Sequence, residues 1–268
     1  PNYCINIFFT RQLLGSEYCL SIDNEQFMKE KAVFLTAQWE YLVMLNYQIP
    51  PEILLPYLPK GTELDLFEGK ALASVVGFLF NNTKVFGIKW PFHTNFEEVN
   101  LRFYVKRFDG VKWKRGVAFI SEIVPKHMIA WIANRLYNEH YSRMPMQHQT
   151  HLENNFLQLN YEWQNKQHWN SLKVKALNRP QPIAPETQEE FIFEHYWGYN
   201  QLNKNTLIEY GVEHPRWEIY PVTYHELNAD IASLYGSEFV PYLTANPESV
   251  MLAKGSAVTI RKPSFFKV

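Results

Sequence analysis

Residues 93–106 read His-Thr-Asn-Phe-Glu-Glu-Val-Asn-Leu-Arg-Phe-Tyr-Val-Lys. From Glu98 the side chains alternate, with Val99, Leu101, Phe103 and Val105 on one face of a strand and Glu98, Asn100, Arg102 and Tyr104 on the other. An acid, an amide, a guanidinium and a phenol in order along one face describe either a solvated sheet surface or the lining of a polar cavity. Just upstream, Trp90-Pro91-Phe92-His93 and Asn95-Phe96-Glu97 put aromatic and titratable groups at the strand's entrance, a mixture that suits a pocket mouth. Neighbours on a strand point to opposite sides, so only one of Glu97 and Glu98 can face that pocket. The alternation assigns Glu98, on the side of Arg102.

The flanking sequence reads as more strand. Val33 to Ile49 is rich in β-formers and alternates from Trp39. Pro50-Pro51 stops it and opens a short helix over 52–58. Leu64 to Phe67 reads as a short strand, and Ala71 to Asn81 is apolar on both sides, as a strand covered on both faces would be. Asp109-Gly110 predicts a tight hairpin into 112–123. The period turns helical over 126–141, then alternates again over 157–163 and 172–177. Thr187 with Glu190 is a capping-box pattern heading a helix. Residues 206–213 and 217–225 read as strands, 230–235 as a helix, and 250–261 as β structure turning at Gly255. The fold class expected is α+β, mainly antiparallel β, with a few helices laid on the sheet.

Composition narrows the partners. The chain of 268 residues is 46% hydrophobic and 16% aromatic, ample for one substantial core, and no linker divides it. Its formal charge of −1 offers no electrostatic footprint for nucleic acid or an anionic membrane. No apolar run approaches the ~20 residues of a membrane helix. The partner expected is a small molecule, with a homo-oligomer left open. Cys4 and Cys19 are the two cysteines, both in residues 1–27, a stretch with no periodicity leading into the strand from Val33 and without the features of a secretory signal. A functional domain over 28–268, preceded by an N-terminal extension and placed in the reducing cytoplasm, is the expectation.

Three constellations carry candidate chemistry. Glu98 with Arg102 is either an ionised structural pair or an acid/base beside an anion anchor. Phe193-Glu194-His195-Tyr196-Trp197-Gly198-Tyr199 is either one wall of an apolar site with a polar handle or a satisfied core corner. Glu213-His214-Pro215-Arg216-Trp217 is either a strand end at a proline bend or, with His93 and His195, part of a three-histidine cluster. No His-x-His or His-Glu-x-x-His spacing supports a metal, and there is no phosphate loop, nucleotide-binding glycine motif or Gly-x-Ser-x-Gly elbow. No metal and no cofactor is expected.

Phe34-Leu35-Thr36-Ala37-Gln38-Trp39, Leu58-Pro59-Lys60-Gly61-Thr62-Glu63-Leu64-Asp65, Val76-Gly77-Phe78-Leu79-Phe80, Asn95 to Arg102, Glu194 to Tyr199 and Glu213 to Trp217 resemble, in that order, the YqjF-type bacterial proteins of unknown function. The resemblance runs from about Val33 to about Thr259 and leaves out residues 1–27. That family is similar in turn to acetoacetate decarboxylase and its relatives, which implies a closed antiparallel β-barrel with helices outside and a ligand cavity within. Those enzymes form a Schiff base on a lysine of lowered pKa. Here the matching stretch, Asn134 to Arg143, has no lysine, and none occurs between Lys126 and Lys166. Arginine stays protonated and cannot substitute.

The expectation is therefore a cavity that takes a small carboxylate, keto or enol ligand without imine chemistry. Glu98 and His195 are the candidate acid/base groups. Arg102, Tyr141 and Arg143 are the candidate polar lining, and Trp197 and Trp217 the apolar walls. A non-catalytic receptor using the same cavity, or a filled barrel that binds a partner, are the rival readings.

Overall fold

The described residues open with strand β1 (Val33–Gln48), helix α1 (Pro51–Leu54) and strands β2 (Glu63–Leu64), β3 (Leu72–Val85), β4 (Phe96–Phe108) and β5 (Trp113–Val124). There follow β6 (Tyr141–Arg143), β7 (Met146–Glu153), β8 (Phe156–Asn165), β9 (His168–Leu177), β10 (Gln181–Pro182), α2 (Gln188–Phe193), β11 (Trp197–Asn203) and β12 (Thr206–Glu213). The last elements are β13 (Glu218–Ile219), β14 (Val222–Asn228), α3 (Ile231–Tyr235), α4 (Val240–Leu243), β15 (Ser249–Arg261) and β16 (Ser264–Lys267). This computed structural model describes residues 31–126 and 141–268. The expected extension over 1–27 and nearly all of the helix expected over 126–141 lie outside the described residues.

Hydrogen bonding runs β15-β1-β3-β4-β5-β11-β12, and β12 returns to β15 through Val212 opposite Ile260 and Glu213 opposite Thr259. The seven strands thus close on themselves. An odd-membered ring cannot alternate direction at every step, and the mismatch falls between β5 and β11, which pair in parallel at Trp197–Gly116 and Gly198–Val117. Two glycines make that seam close. A Cβ on Gly116 would strike the Trp197 carbonyl, and one on Gly198 would overlap the Tyr210 ring. Gly198→Ala should therefore lower stability by about 1–3 kcal/mol through overpacking, read as a fall in the urea midpoint at unchanged slope.

Register sets the faces. Phe78 lies opposite Glu98, Val76 opposite Asn100 and Ser74 opposite Arg102. Phe96 and Tyr104 from the same face of β4 join Met44, Val76, Phe78, Val117, Ile208, Tyr210 and Met251 in the apolar core of the ring. The face of β4 that reads as polar therefore points into the tube. Its apolar partner face, Val99 to Val105, is buried on the outside. A separate sheet, ordered β14-β9-β8-β7, covers the neighbouring strand, since a Cβ on Gly77 would stand 3.0 Å from Tyr161 and 3.1 Å from Leu172. Burial of β3 on both sides follows, as its unbroken apolar run predicts.

Local expectations fared unevenly. Thr187 caps α2 by accepting from the Glu190 amide at 3.3 Å, and Asp230 caps α3 by accepting from the Ser233 amide at 3.1 Å. The strand expected over 64–67 shrinks to Glu63–Leu64. The turn expected at Asp109-Gly110 lies over 109–112, where the Asp109 carboxylate accepts from the amides of Val111 and Lys112, both at 2.9 Å. The strand expected over 217–225 breaks at Pro221 into β13 and β14. Gly255 is not a turn. β15 runs straight through it at φ 83°, where any Cβ would overlap the Trp39 carbonyl of the adjoining strand.

Candidate functional site

Arg102 projects from β4 into a cavity of about 40 Å³ bordered by Trp39, Phe119, His195, Tyr210, His214 and Trp217, among others. That is small beside the ~150 Å³ that holds a benzene, so only a compact group could enter. The guanidinium is oddly provisioned. Nη2 donates to the Met44 thioether at 3.6 Å, and the buried Nε has no acceptor. Among the described residues no carboxylate lies within ion-pair distance of it. An arginine normally takes bidentate carboxylate or phosphate partners, so this one presents an open, cationic fork to the cavity.

Glu98, on the same inward face, is buried and accepts from Asn100 Nδ2 at 2.9 Å and from the Tyr141 hydroxyl at 3.0 Å. Burial pushes its carboxyl up to about 7, against the pull of those two hydrogen bonds and of Arg102's charge. Directly across the ladder from Asn100 sits Glu122, also buried and paired in register with Tyr141. Two carboxyls, an amide and a phenol thus occupy one end of the tube. Glu98 is not among the residues that border the Arg102 cavity. Glu97 faces the other way and meets His148 Nδ1 at 2.6 Å.

His195 follows α2 and borders the cavity, but its Nε2 donates to Asp65 at 3.1 Å, and Asp65 also accepts from Arg115 Nε at 2.6 Å. Burial depresses the imidazole to about 4, so the ring is neutral and Nδ1 carries the lone pair. Asp65 itself is raised by burial but lowered further by His195 and Arg115, for a net decrease. Below this pair, Tyr104, Ser74 and Asn46 form a chain of hydrogen bonds, each of 2.5 Å. Asp65, Glu122, Ser74 and Asn46 are site residues that sequence reasoning missed. The acid Glu122 between Ile120 and Ile123 was the one readable sign.

Trp217 forms a wall of the cavity. Its ring stacks on His214 at 4.0 Å and meets Phe193 edge-on, while Nε1 donates to Ser256 at 2.7 Å. Trp197 also borders the cavity, but its ring lies against the Lys114 ammonium at 4.2 Å. Tyr141 reaches Glu98 rather than the cavity. Arg143 does not join the lining: it is exposed, with Nε donating to the Pro125 carbonyl at 3.3 Å, because β6 pairs in parallel at the rim of β5. The three histidines do not converge. His93 Nδ1 donates to the Pro91 carbonyl at 2.8 Å and His214 Nδ1 to the Pro215 carbonyl at 3.0 Å, and no group of three potential metal ligands occurs among the described residues. No helix among these residues is long and apolar enough to cross a membrane.

Comparison of folds brings in known structures. The acetoacetate decarboxylase of Legionella pneumophila is 14% identical, with a TM-score of 0.60 over 88% of each chain. An acetoacetate decarboxylase-like enzyme from Sphingomonas wittichii is 11% identical, with a TM-score of 0.58 over 88% of this chain and 94% of that one. The enduracididine biosynthesis enzyme MppR, complexed with pyruvate, is 11% identical, with a TM-score of 0.60 over 88% and 90%. At such identities the likeness is one of fold, and it agrees with the ring closure seen here. No functionally curated protein matches in sequence. Residues 36–257 match the family model of the uncharacterized conserved proteins DUF2071, and the chain belongs to that family.

Proposed function

We propose that the barrel binds a small organic acid, a carboxylate with a neighbouring keto, enol or hydroxyl oxygen, with Arg102 as the anchor for its carboxylate and Trp217 as an apolar wall. The observation that carries this is the inward guanidinium with no carboxylate in ion-pair distance among the described residues: a half-buried cation beside a compact cavity is best completed by an anionic guest. The pyruvate complex of MppR, a protein of the same fold, adds weight to that class of ligand. A cytoplasmic setting suits such a metabolite.

Imine chemistry has no support. Residues 127–165 contain no lysine. The buried Lys114 is a bound ammonium, 2.9 Å from Glu209 and 3.6 Å from Asp109. If the guest reacts, Glu98 is the proton carrier, since a carboxyl near 7 can both give and take a proton at neutral pH. One observation favours a receptor without turnover: Glu98 stands outside the cavity border.

Titration calorimetry with pyruvate, acetoacetate and acetate tests the reading. Binding to the wild-type protein should weaken at least tenfold in Arg102→Met, consistent with loss of a charge-assisted pair. Equal affinity in the two proteins would remove Arg102 as the anchor. Borohydride treatment in the presence of acetoacetate should leave the protein's mass unchanged. A reduced adduct would restore a Schiff base.

A further inference from the structure

His214 has its tautomer set by the fold. Nδ1 stands 3.0 Å from the carbonyl oxygen of Pro215, and a carbonyl can only accept, so Nδ1 carries the proton. The ring lies flat on Trp217 at 4.0 Å and beside Tyr196 at 4.8 Å, so it cannot swing freely. Among the described residues nothing donates to Nε2, and that atom is not among the buried groups lacking a partner. It is left as an accessible lone pair on a residue that borders the Arg102 cavity. Burial first, and then Arg102's positive charge, hold the imidazole near 4 against the Pro215 hydrogen bond, so it stays neutral at physiological pH.

Two residues bordering the cavity therefore offer complementary groups: Arg102, a cation with no carboxylate in ion-pair distance among the described residues, and His214, an acceptor with no proton. A keto acid satisfies only the first, because its carbonyl would set one lone pair against another. An acid with a hydroxyl next to its carboxylate satisfies both. We infer that His214 is a specificity-determining residue of this cavity, its Nε2 accepting a hydrogen bond from an alcohol or enol hydroxyl adjacent to the ligand's carboxylate, so that hydroxy acids are preferred to keto acids. This rests on the proposed role of Arg102 and narrows the ligand class.

Calorimetric titration of the full chain with L-lactate, D-lactate, pyruvate and propionate at pH 7.5 separates the two claims. The expected order is one lactate enantiomer about tenfold tighter than pyruvate and propionate, the return on one well-placed hydrogen bond. His214→Phe keeps the stack on Trp217 and removes the acceptor. It should bring lactate down to the level of propionate, the quantity read being the ratio of the two affinities within the variant. If all the acids bind wild-type protein within about twofold of one another, the inference about His214 fails and the carboxylate anchor stands. If none binds, the anchor fails as well. The wild-type comparison needs no variant, so a folding defect in His214→Phe would not shield the idea.

Discussion

Glu209→Ala should cost about 3–5 kcal/mol of unfolding free energy, the usual result of breaking a buried ion pair from one side. The melting temperature should fall on the order of 10 °C for a domain of this size. Glu209 is 1% exposed and binds Lys114 Nζ through one oxygen and Arg107 Nη1 through the other, both at 2.9 Å. Arg107 is on β4, Lys114 on β5 and Glu209 on β12, so the cluster ties three strands together across the parallel seam, where only two residue pairs hold β5 to β11. Without the carboxylate, the Lys114 ammonium, on a side chain 4% exposed, loses an anion at 2.9 Å while Asp109 stands at 3.6 Å. Urea denaturation provides the measurement, with Glu209→Gln expected to lose less. The double change Glu209→Leu with Lys114→Met should recover part of the loss, because it removes two of the three charges and leaves only Arg107, whose side chain is 15% exposed, to be hydrated. A Glu209→Ala protein within 1 kcal/mol of wild type would show that the cluster contributes little.

Glu98 should make stability fall with rising pH over the range where proteins are usually most stable. Its carboxyl titrates near 7 in the folded chain and near the ordinary 4.5 when unfolded. Between those values the native state holds a proton that the unfolded state has lost. The stabilisation is therefore complete below 4.5 and is lost as pH rises through 7, at about 1.4 kcal/mol per pH unit and roughly 3 kcal/mol in all. His195 and His214, both depressed to about 4, act in the opposite sense: their contribution appears as pH rises towards 6.5. The wild-type curve alone would mix these effects, so the quantity to measure is the difference from Glu98→Gln. A glutamine can accept from Tyr141 and, once the Asn100 amide turns over to exchange Nδ2 for Oδ1, donate to Asn100. The variant should match or trail wild type at pH 4.5 and exceed it above pH 7. Parallel stability curves for the two proteins would mean that Glu98 is ionised throughout.

The same buried carboxyl shows how far residues could be read in a line. Alternation over 98–105 was enough to separate Glu98 and Arg102 from Glu97, because pleating is a local property of an extended backbone. Capping by Thr187 was readable for the same reason, since donor and acceptor are three residues apart. The resemblance of the ordered motifs supplied the barrel, which no strand in isolation implies. Gly255 marks the limit: a glycine signals an unusual backbone, but whether it turns the chain or admits a neighbour depends on Trp39, more than two hundred residues away.

Residue order along the chain was sufficient for the strands, their two faces and the presence of an acid and a guanidinium on one of them. Folding in three dimensions settled the rest: that this face is the inner one, that Asp65 meets His195 across 130 positions, that Arg143 turns out to Pro125, and that Arg102 has no acid in ion-pair distance among the described residues. Periodicity follows from bonds between neighbours, whereas a side chain's partner is chosen by ring closure and strand register, which bring together residues that share no stretch of sequence.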